Sequence, residues 1–307
     1  MSREMDHEQE APRRRSHNRK RNRNSSRLLY YIVLIVLLGI LVFCAGKIIS
    51  YLSQHWASEN EQQNLIDSFV TPGNTDSQQG ESTGDDTQSE GDNTASEGDS
   101  QSGNDKQQEA VYVPEPDTIT VDLAGLKAKY PDVKGYIYCA NTAINGNKTG
   151  INFPIVKGSD NSFYLNHSID GSKNNNGAIF IETLCDENFG SQNTIIYGHH
   201  MKTGAMFAPL EQYKSQSFYD AHPYMYIYTE SQNYRIDLFA GCVVEGDADI
   251  YATSVDADTL ANYVAKSTFK AKIGTPTGKI VTLSTCDYTS GYSDPRYVVL
   301  GQLVAID

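Results

Sequence analysis

Two stretches of this chain cannot join a water-soluble core, and they fix how the rest must be used. Leu28 through Gly46 carries no charge and is dominated by Leu, Ile and Val. At about 1.5 Å of rise per helical residue, it is just long enough to cross a hydrocarbon layer of about 30 Å. Residues 71–110 are the opposite, with ten acids, one lysine and hardly an apolar side chain among Gln, Ser, Gly, Asn and Thr. Such a stretch buries too little surface to offset its ordering entropy and reads as a disordered tether. As a coil its ends would average about 35 Å apart. That leaves residues 111–307 as a folded head, long enough for a full hydrophobic core.

Residues 13–27 hold eight Arg or Lys and no acid. A basic tail (1–27) ahead of an apolar anchor (28–46), with a long acidic chain behind it, orients the N-terminus to the cytoplasm and the head outside. A cleaved signal peptide is the alternative, but the run exceeds a typical signal core and no small-x-small cleavage site follows. Bulky Phe43 ahead of Cys44 does not suit a lipoprotein signal. Residues 47–70, with Ile48, Ile49, Leu52, Trp56, Leu65 and Phe69, are expected to continue the helix as a stalk. The net charge of -13 comes largely from the tether and argues against nucleic acid as a partner. No Gly-rich phosphate loop follows a strand, and no ligand cluster has metal-binding spacing. Adjacent His199 and His200 would point to opposite faces of a strand. Neither metal nor cofactor is expected.

In the head, short β-branched or aromatic runs recur at Ile119–Val121, Gly135–Cys139, Asn152–Val156, Ala178–Ile181, Thr194–Tyr197, Tyr224–Tyr228, Tyr234–Val244, Ile280–Thr285 and Arg296–Ala305. Many short strands separated by turn residues suggest an antiparallel or mixed barrel. Helical spacing is confined to Leu123–Tyr130, Ala205–Tyr213 and Ala257–Phe269.

The strand ending Thr282-Leu283-Ser284-Thr285-Cys286 is followed by a loop rich in Ser, Gly, Asp and Pro, and then by a strand opening on Arg296. That hairpin sets Cys286 and Arg296 side by side at one rim, and His199, ending Thr194–Tyr197, can reach it. A thiol is mostly protonated at neutral pH, so a nucleophilic cysteine needs an imidazole or guanidinium beside it. Cys139, Cys185 and Cys242 remain outside the apolar run. Cys139 and Cys242 sit in strand-like contexts as small core residues, and one disulfide among the three stays open.

These segments resemble class B sortases, the cysteine transpeptidases of the Gram-positive surface. The signature is a T-L-x-T-C strand end, an Arg opening the next strand and a Gly-His on an earlier one. Further likeness lies in Asp132–Ile137, Phe153–Val156, Asp160–Leu165 and Gly177–Phe180, so it covers roughly residues 118–305. Where the family usually has Asn after the histidine, this chain has His200, and the preceding glycine favours His199. The polar stretch Asn145–Gly150 looks inserted and is expected to lengthen a surface loop.

The resemblance implies a mostly β protein, an eight-stranded sortase barrel with a few peripheral helices and an added helix between the sixth and seventh strands. It implies that Cys286 attacks a threonine carbonyl in a C-terminal sorting peptide of Asn-Pro-x-Thr-Asn type, that His199 moves protons and that Arg296 stabilises the oxyanion. Secreted proteins bearing that motif and an amine of peptidoglycan or of a pilin lysine are the implied partners. By motif alone, Asn161, Leu165, Ser284, Thr285 and Asp287 are substrate-pocket candidates, with Ile250 and Tyr251 as pocket-wall candidates. Two competing functions stand beside this one. An L,D-transpeptidase-like cross-linker would need Arg two residues after Cys, where Tyr288 stands. A non-catalytic tethered binding module would not need an intact Cys, His and Arg.

Overall fold

The computed structural model describes residues 23–73 and 119–306. The expected cytoplasmic tail up to residue 22, and the acidic stretch from residue 74, lie outside the described residues. The chain divides into two units, up to Gln54 and from His55 onward. A helix, α1 (Arg23–Phe69), runs through both. Its segment Arg27–Ser50 is apolar and long enough to cross a membrane by length and composition. Its leucines, isoleucines and valines are exposed on every side, a surface that asks for an apolar surrounding.

In the second unit, the end of α1 packs on the barrel described below. Leu65 joins a cluster with Leu126, Val156 and Tyr164, and Gln62 Nε2 donates to the Asn152 carbonyl at 3.2 Å. The helix stops where β1 (Val70–Pro72) pairs antiparallel with β2 (Ile119–Val121). This corrects two expectations. Thr71 and Pro72, assigned to the tether, are strand residues, and Ile119–Val121 is no barrel strand. Pro72 cannot donate to a ladder, which keeps the pairing short. Asp122 then caps α2 (Leu123–Lys129), its Oδ1 accepting from Gly125 N at 2.9 Å.

The next strands are β3 (Val133–Cys139), β4 (Ile151–Val156), β5 (Ile179–Ile181) and β6 (Asn193–Tyr197). A short helix, α3 (Gln216–Ala221), leads to β7 (Tyr224–Tyr228) and β8 (Asn233–Glu245). Helix α4 (Ala257–Lys266) precedes β9 (Ile280–Cys286) and β10 (Pro295–Ile306). These eight strands close a barrel in the order β10-β8-β7-β3-β4-β5-β6-β9. Two of its pairs, β4 with β5 and β6 with β9, are parallel. Parallel neighbours require a crossover: residues 157–178 make it from β4 to β5, and the path from β6 to β9 passes through β7 and β8. Ile137, Ile155, Ile195, Val281 and Val299 fill the interior.

Helix α4 lies between the sixth and seventh barrel strands. It ends before Phe269, earlier than its apolar spacing suggested. Thr268 N donates to the Gly241 carbonyl at 2.7 Å, its hydroxyl meets Tyr297 Oη, and Phe269 stacks on Tyr219. The helix expected over Ala205–Tyr213 is a 3-10 helix, Ala208–Lys214. Helix α3 gave no periodic signal over its six residues. All five cysteines are free.

Candidate active site

Strand register brings the three chemically suited side chains together. In the antiparallel pair of β9 and β10, Cys286 lies opposite Arg296. In the parallel pair of β6 and β9, Tyr197 is level with Ser284, and Gly198 N donates to the Ser284 carbonyl at 3.1 Å. Two residues further along each chain come His199 and Cys286, on the same face because side chains alternate. Gly198 allows this approach. A Cβ there would lie 2.5 Å from Ile179 Cδ1 and 2.7 Å from the Phe207 ring.

The imidazole of His199 is fixed from behind. Its Nε2 lies 2.7 Å from the Leu165 carbonyl oxygen, which can only accept, so Nε2 carries the proton and Nδ1 is left for the thiol. The hydrogen bond between the two side chains is the main reason the Cys286 thiol lies below its ordinary range; burial opposes this and Arg296 assists. The same bond is the main reason the His199 pKa is raised; burial lowers it, and the Leu165 carbonyl adds to the rise. The other thiols of the head move the opposite way. Burial pushes Cys139 up to about 12 and Cys242 up to about 11, and raises Cys185 as well. One sulfur of four is thus tuned toward thiolate.

Arg296 forms a forked pair with Asp294, at 2.6 Å from Nη1 and 3.0 Å from Nη2, and Nη1 also donates to the Pro295 carbonyl at 3.2 Å. A guanidinium has five N–H groups, so Nε–H and one Nη2–H stay available.

A pocket of about 230 Å³ opens on the three groups. Of the residues expected to bind substrate, Asn161, Leu165, Tyr251, Ser284 and Thr285 line it. Leu165 stands at the mouth, 42% exposed. Ser284 is buried, its hydroxyl 2.7 Å from that of Tyr251, and the Tyr251 ring stacks on Tyr197. The Thr285 hydroxyl is buried and has no hydrogen-bond partner among the described residues.

Two expectations need correction. Ile250 is fully buried among Val244, Val255 and Leu260 under α4, because the 3-10 turn Asp249–Tyr251 points one side chain into the core and the next into the pocket. Asp287 is buried beside the pocket but does not line it. Burial pushes its carboxylate up, but donation from Lys214 Nζ and from Thr289 outweighs this and holds it below the usual range. His200 turns away from the thiol to Glu211, 3.0 Å from its Nε2, with its ring beside Tyr288. His167 and His222 each face a main-chain carbonyl four residues back.

Nothing in the residue pattern marks Leu165 as a backbone acceptor, or singles out the acid Glu182 behind the pocket. The one local signal is the apolar segment Gly177–Phe180, whose last residue stands two positions before Glu182. Lys157 was also missed: its ammonium donates to the carbonyls of Glu182, Thr183 and Cys185 at 3.0, 2.8 and 2.9 Å, pinning that turn. No group of three or more His, Cys, Asp or Glu suited to hold a metal occurs among the described residues.

Comparisons with known proteins agree with this geometry. The sortase-domain family model matches residues 144–304. Sortase B of Listeria monocytogenes is 32% identical over 211 residues, covering 64% of this chain and 82% of that protein. Sortase B of Staphylococcus aureus is 26% identical over 181 residues, covering 57% and 71%. Among solved structures, a Staphylococcus aureus sortase B–substrate complex superposes with a TM-score of 0.52 at 25% identity, covering 60% of this chain and 85% of that one. A sortase B from B. anthracis in complex with AAEK2 gives a TM-score of 0.51 at 30% identity, covering 60% and 83%. With the closed barrel, the helix before its seventh strand and the shared signature residues, the chain belongs to the sortase family of cysteine transpeptidases, in class B.

Proposed function

We propose that this chain is a membrane-anchored transpeptidase that cleaves a C-terminal sorting motif of secreted proteins and joins the new terminus to an amine at the cell surface. The observation that carries this reading is the pairing of one depressed thiol with one raised imidazole beside Arg296. In this reading the Cys286 thiol passes its proton to His199 Nδ1 and Sγ attacks the threonine carbonyl carbon of an Asn-Pro-x-Thr-Asn-like peptide, while the carbonyl electron pair moves onto oxygen. The free N–H groups of Arg296 stabilise that oxyanion, and removing such a donor typically costs about a hundredfold in rate. Collapse breaks the C–N bond while His199 Nδ1 gives its proton to the departing amine. The thioester then accepts an incoming amine, His199 takes that amine's proton, and the thiolate leaves. Asn161, Leu165, Tyr251, Ser284 and Thr285 would contact the peptide. The acceptor is an amine of peptidoglycan or a pilin lysine.

The apolar helix at residues 28–46, preceded by the basic residues 13–27, supports a single-pass anchor with a cytoplasmic N-terminus and an external catalytic domain. The experiment is a panel of quenched-fluorescent sorting peptides, incubated with the full-length chain in detergent. Cleavage of one motif is expected, lost on thiol blocking and in Cys286→Ala. Cleavage that survives blocking refutes the cysteine mechanism. No cleavage of any motif favours a binding module.

A further inference from the structure

Behind the pocket, just past β5, Glu182 is 8% exposed and has no access to a peptide. It accepts four hydrogen bonds, three at Oε1 and one at Oε2. Oε1 accepts from Asn161 Nδ2 at 2.6 Å, Thr183 Oγ1 at 2.9 Å and Leu184 N at 3.3 Å, and Oε2 accepts from the Tyr197 hydroxyl at 2.9 Å. Burial pushes this carboxyl up, but the four donors together outweigh it and hold it below its usual range. An ionised carboxylate only accepts, so each neighbour must donate. Asn161 is fixed at its other end as well, because its Oδ1 accepts from Thr183 N at 2.9 Å. A flip of that amide would set N–H against N–H at one end and oxygen against oxygen at the other. Asn161 and Tyr197 both line the pocket. What Asn161 has left is its second N–H, a donor, and one lone pair on Oδ1. What Tyr197 has left is oxygen lone pairs, an acceptor.

We propose that Glu182 is a positioning residue for substrate recognition: its carboxylate fixes the orientation of the Asn161 amide and takes the Tyr197 hydroxyl proton, so that the pocket selects an extended peptide presenting a carbonyl to the free Asn161 N–H and an N–H to the Tyr197 oxygen. The proposal rests on the transpeptidase reading. Polarity specified by a buried group discriminates strongly, because a mismatched ligand leaves both partners unpaired. The turn that carries Glu182 is itself pinned by Lys157, so the carboxylate cannot drift.

The test uses the full-length chain in detergent. Glu182→Gln preserves shape but presents an N–H to Asn161 or to Tyr197. It is expected to raise KM for the cleaved peptide about tenfold, more than it lowers kcat, with iodoacetamide alkylation of Cys286 within about twofold of wild type. The double variant Asn161→Asp with Glu182→Gln rebuilds the buried hydrogen bond with reversed polarity, so it is expected to regain thermal stability without regaining KM. Recovery of both together, or an unchanged KM in Glu182→Gln, overturns the proposal. A second readout needs no turnover. In chain labelled with [15N]asparagine, the Asn161 side-chain amide of wild type should show one strongly downfield, exchange-protected proton that is lost in Glu182→Gln. Absence of that signal overturns the lock even if every peptide is cleaved. Its presence in a chain that cleaves nothing sinks the transpeptidase reading and leaves the lock standing.

Discussion

The two sides of the pocket are built in different ways. On one side, the β9–β10 hairpin carries Cys286 and Arg296, paired directly across a ladder that runs from Arg296↔Cys286 to Gln302↔Ile280. On the other, the segment from Lys157 to Glu182 has little regular structure and works through main-chain oxygens and buried polar side chains. The hairpin supplies reactive groups. The loop side supplies their orientation, through the Leu165 carbonyl on His199 and Glu182 on Asn161. Reactivity here is held by strand register and aim by loops, so damage to the two sides should read out differently.

Damage to the hairpin should have the largest effect. Arg296→Lys keeps the charge but loses the fork, and kcat for peptide cleavage should fall about a hundredfold with KM changed far less. A fall of less than threefold would break the contrast, since the hairpin would then hold no transition-state donor.

On the loop side, Asp160 Oδ1 accepts from Ser162 N at 2.7 Å and Phe163 N at 2.8 Å, and so caps the turn that presents Leu165. Asp160→Ala should cost about fivefold in kcat/KM. It should also move the His199 pKa down, because the carbonyl that supports the protonated ring is less well held. An NMR titration of the His199 ring checks it. The sign follows from the raised native value: the ring's contribution is present below the ordinary histidine pKa and is lost as pH rises through the native one. An unchanged His199 titration alongside reduced activity would show that the loop acts on substrate rather than on the imidazole.

The smallest expected effect on chemistry is at the base of the hairpin loop. Lys214→Met strips the buried Asp287 of its cation and should lower stability by about 2 kcal/mol, since the carboxylate keeps only Thr289 as a donor while the lost ammonium was itself partly hydrated. Asp287 is depressed in the native state, so its contribution in wild type is present above the ordinary carboxylate pKa and is lost as pH falls through the native one. Thermal melts between pH 3 and pH 7 should therefore converge for variant and wild type at the acid end. Parallel melts across that range would mean the pair contributes nothing.

The same division explains what could be read from the chain beforehand. β-branched alternation located all eight barrel strands to within two residues or so, and the Thr-Leu-Ser-Thr-Cys strand end with Arg296 gave the hairpin, because a strand's period and its turn residues are local. Asn161 and Leu165 were legible only through motif likeness. The oxygen of Leu165 belongs to a backbone every residue has, and Glu182 is one acid among many until folding buries it. Ile250 and Tyr251 were equivalent on paper, and a single turn separated them. Ile119–Val121 looked like any other strand. Its partner, Val70–Pro72, was hidden inside a stretch whose composition reads as unstructured.

That small ladder rewires the chain's connectivity. Because Val70 lies opposite Val121 and Asp122 N donates to the Phe69 carbonyl at 2.8 Å, the end of α1 and the start of α2 are clipped directly to each other. Mechanical load applied along α1 would therefore act on three residue pairs in shear before the clip gives way.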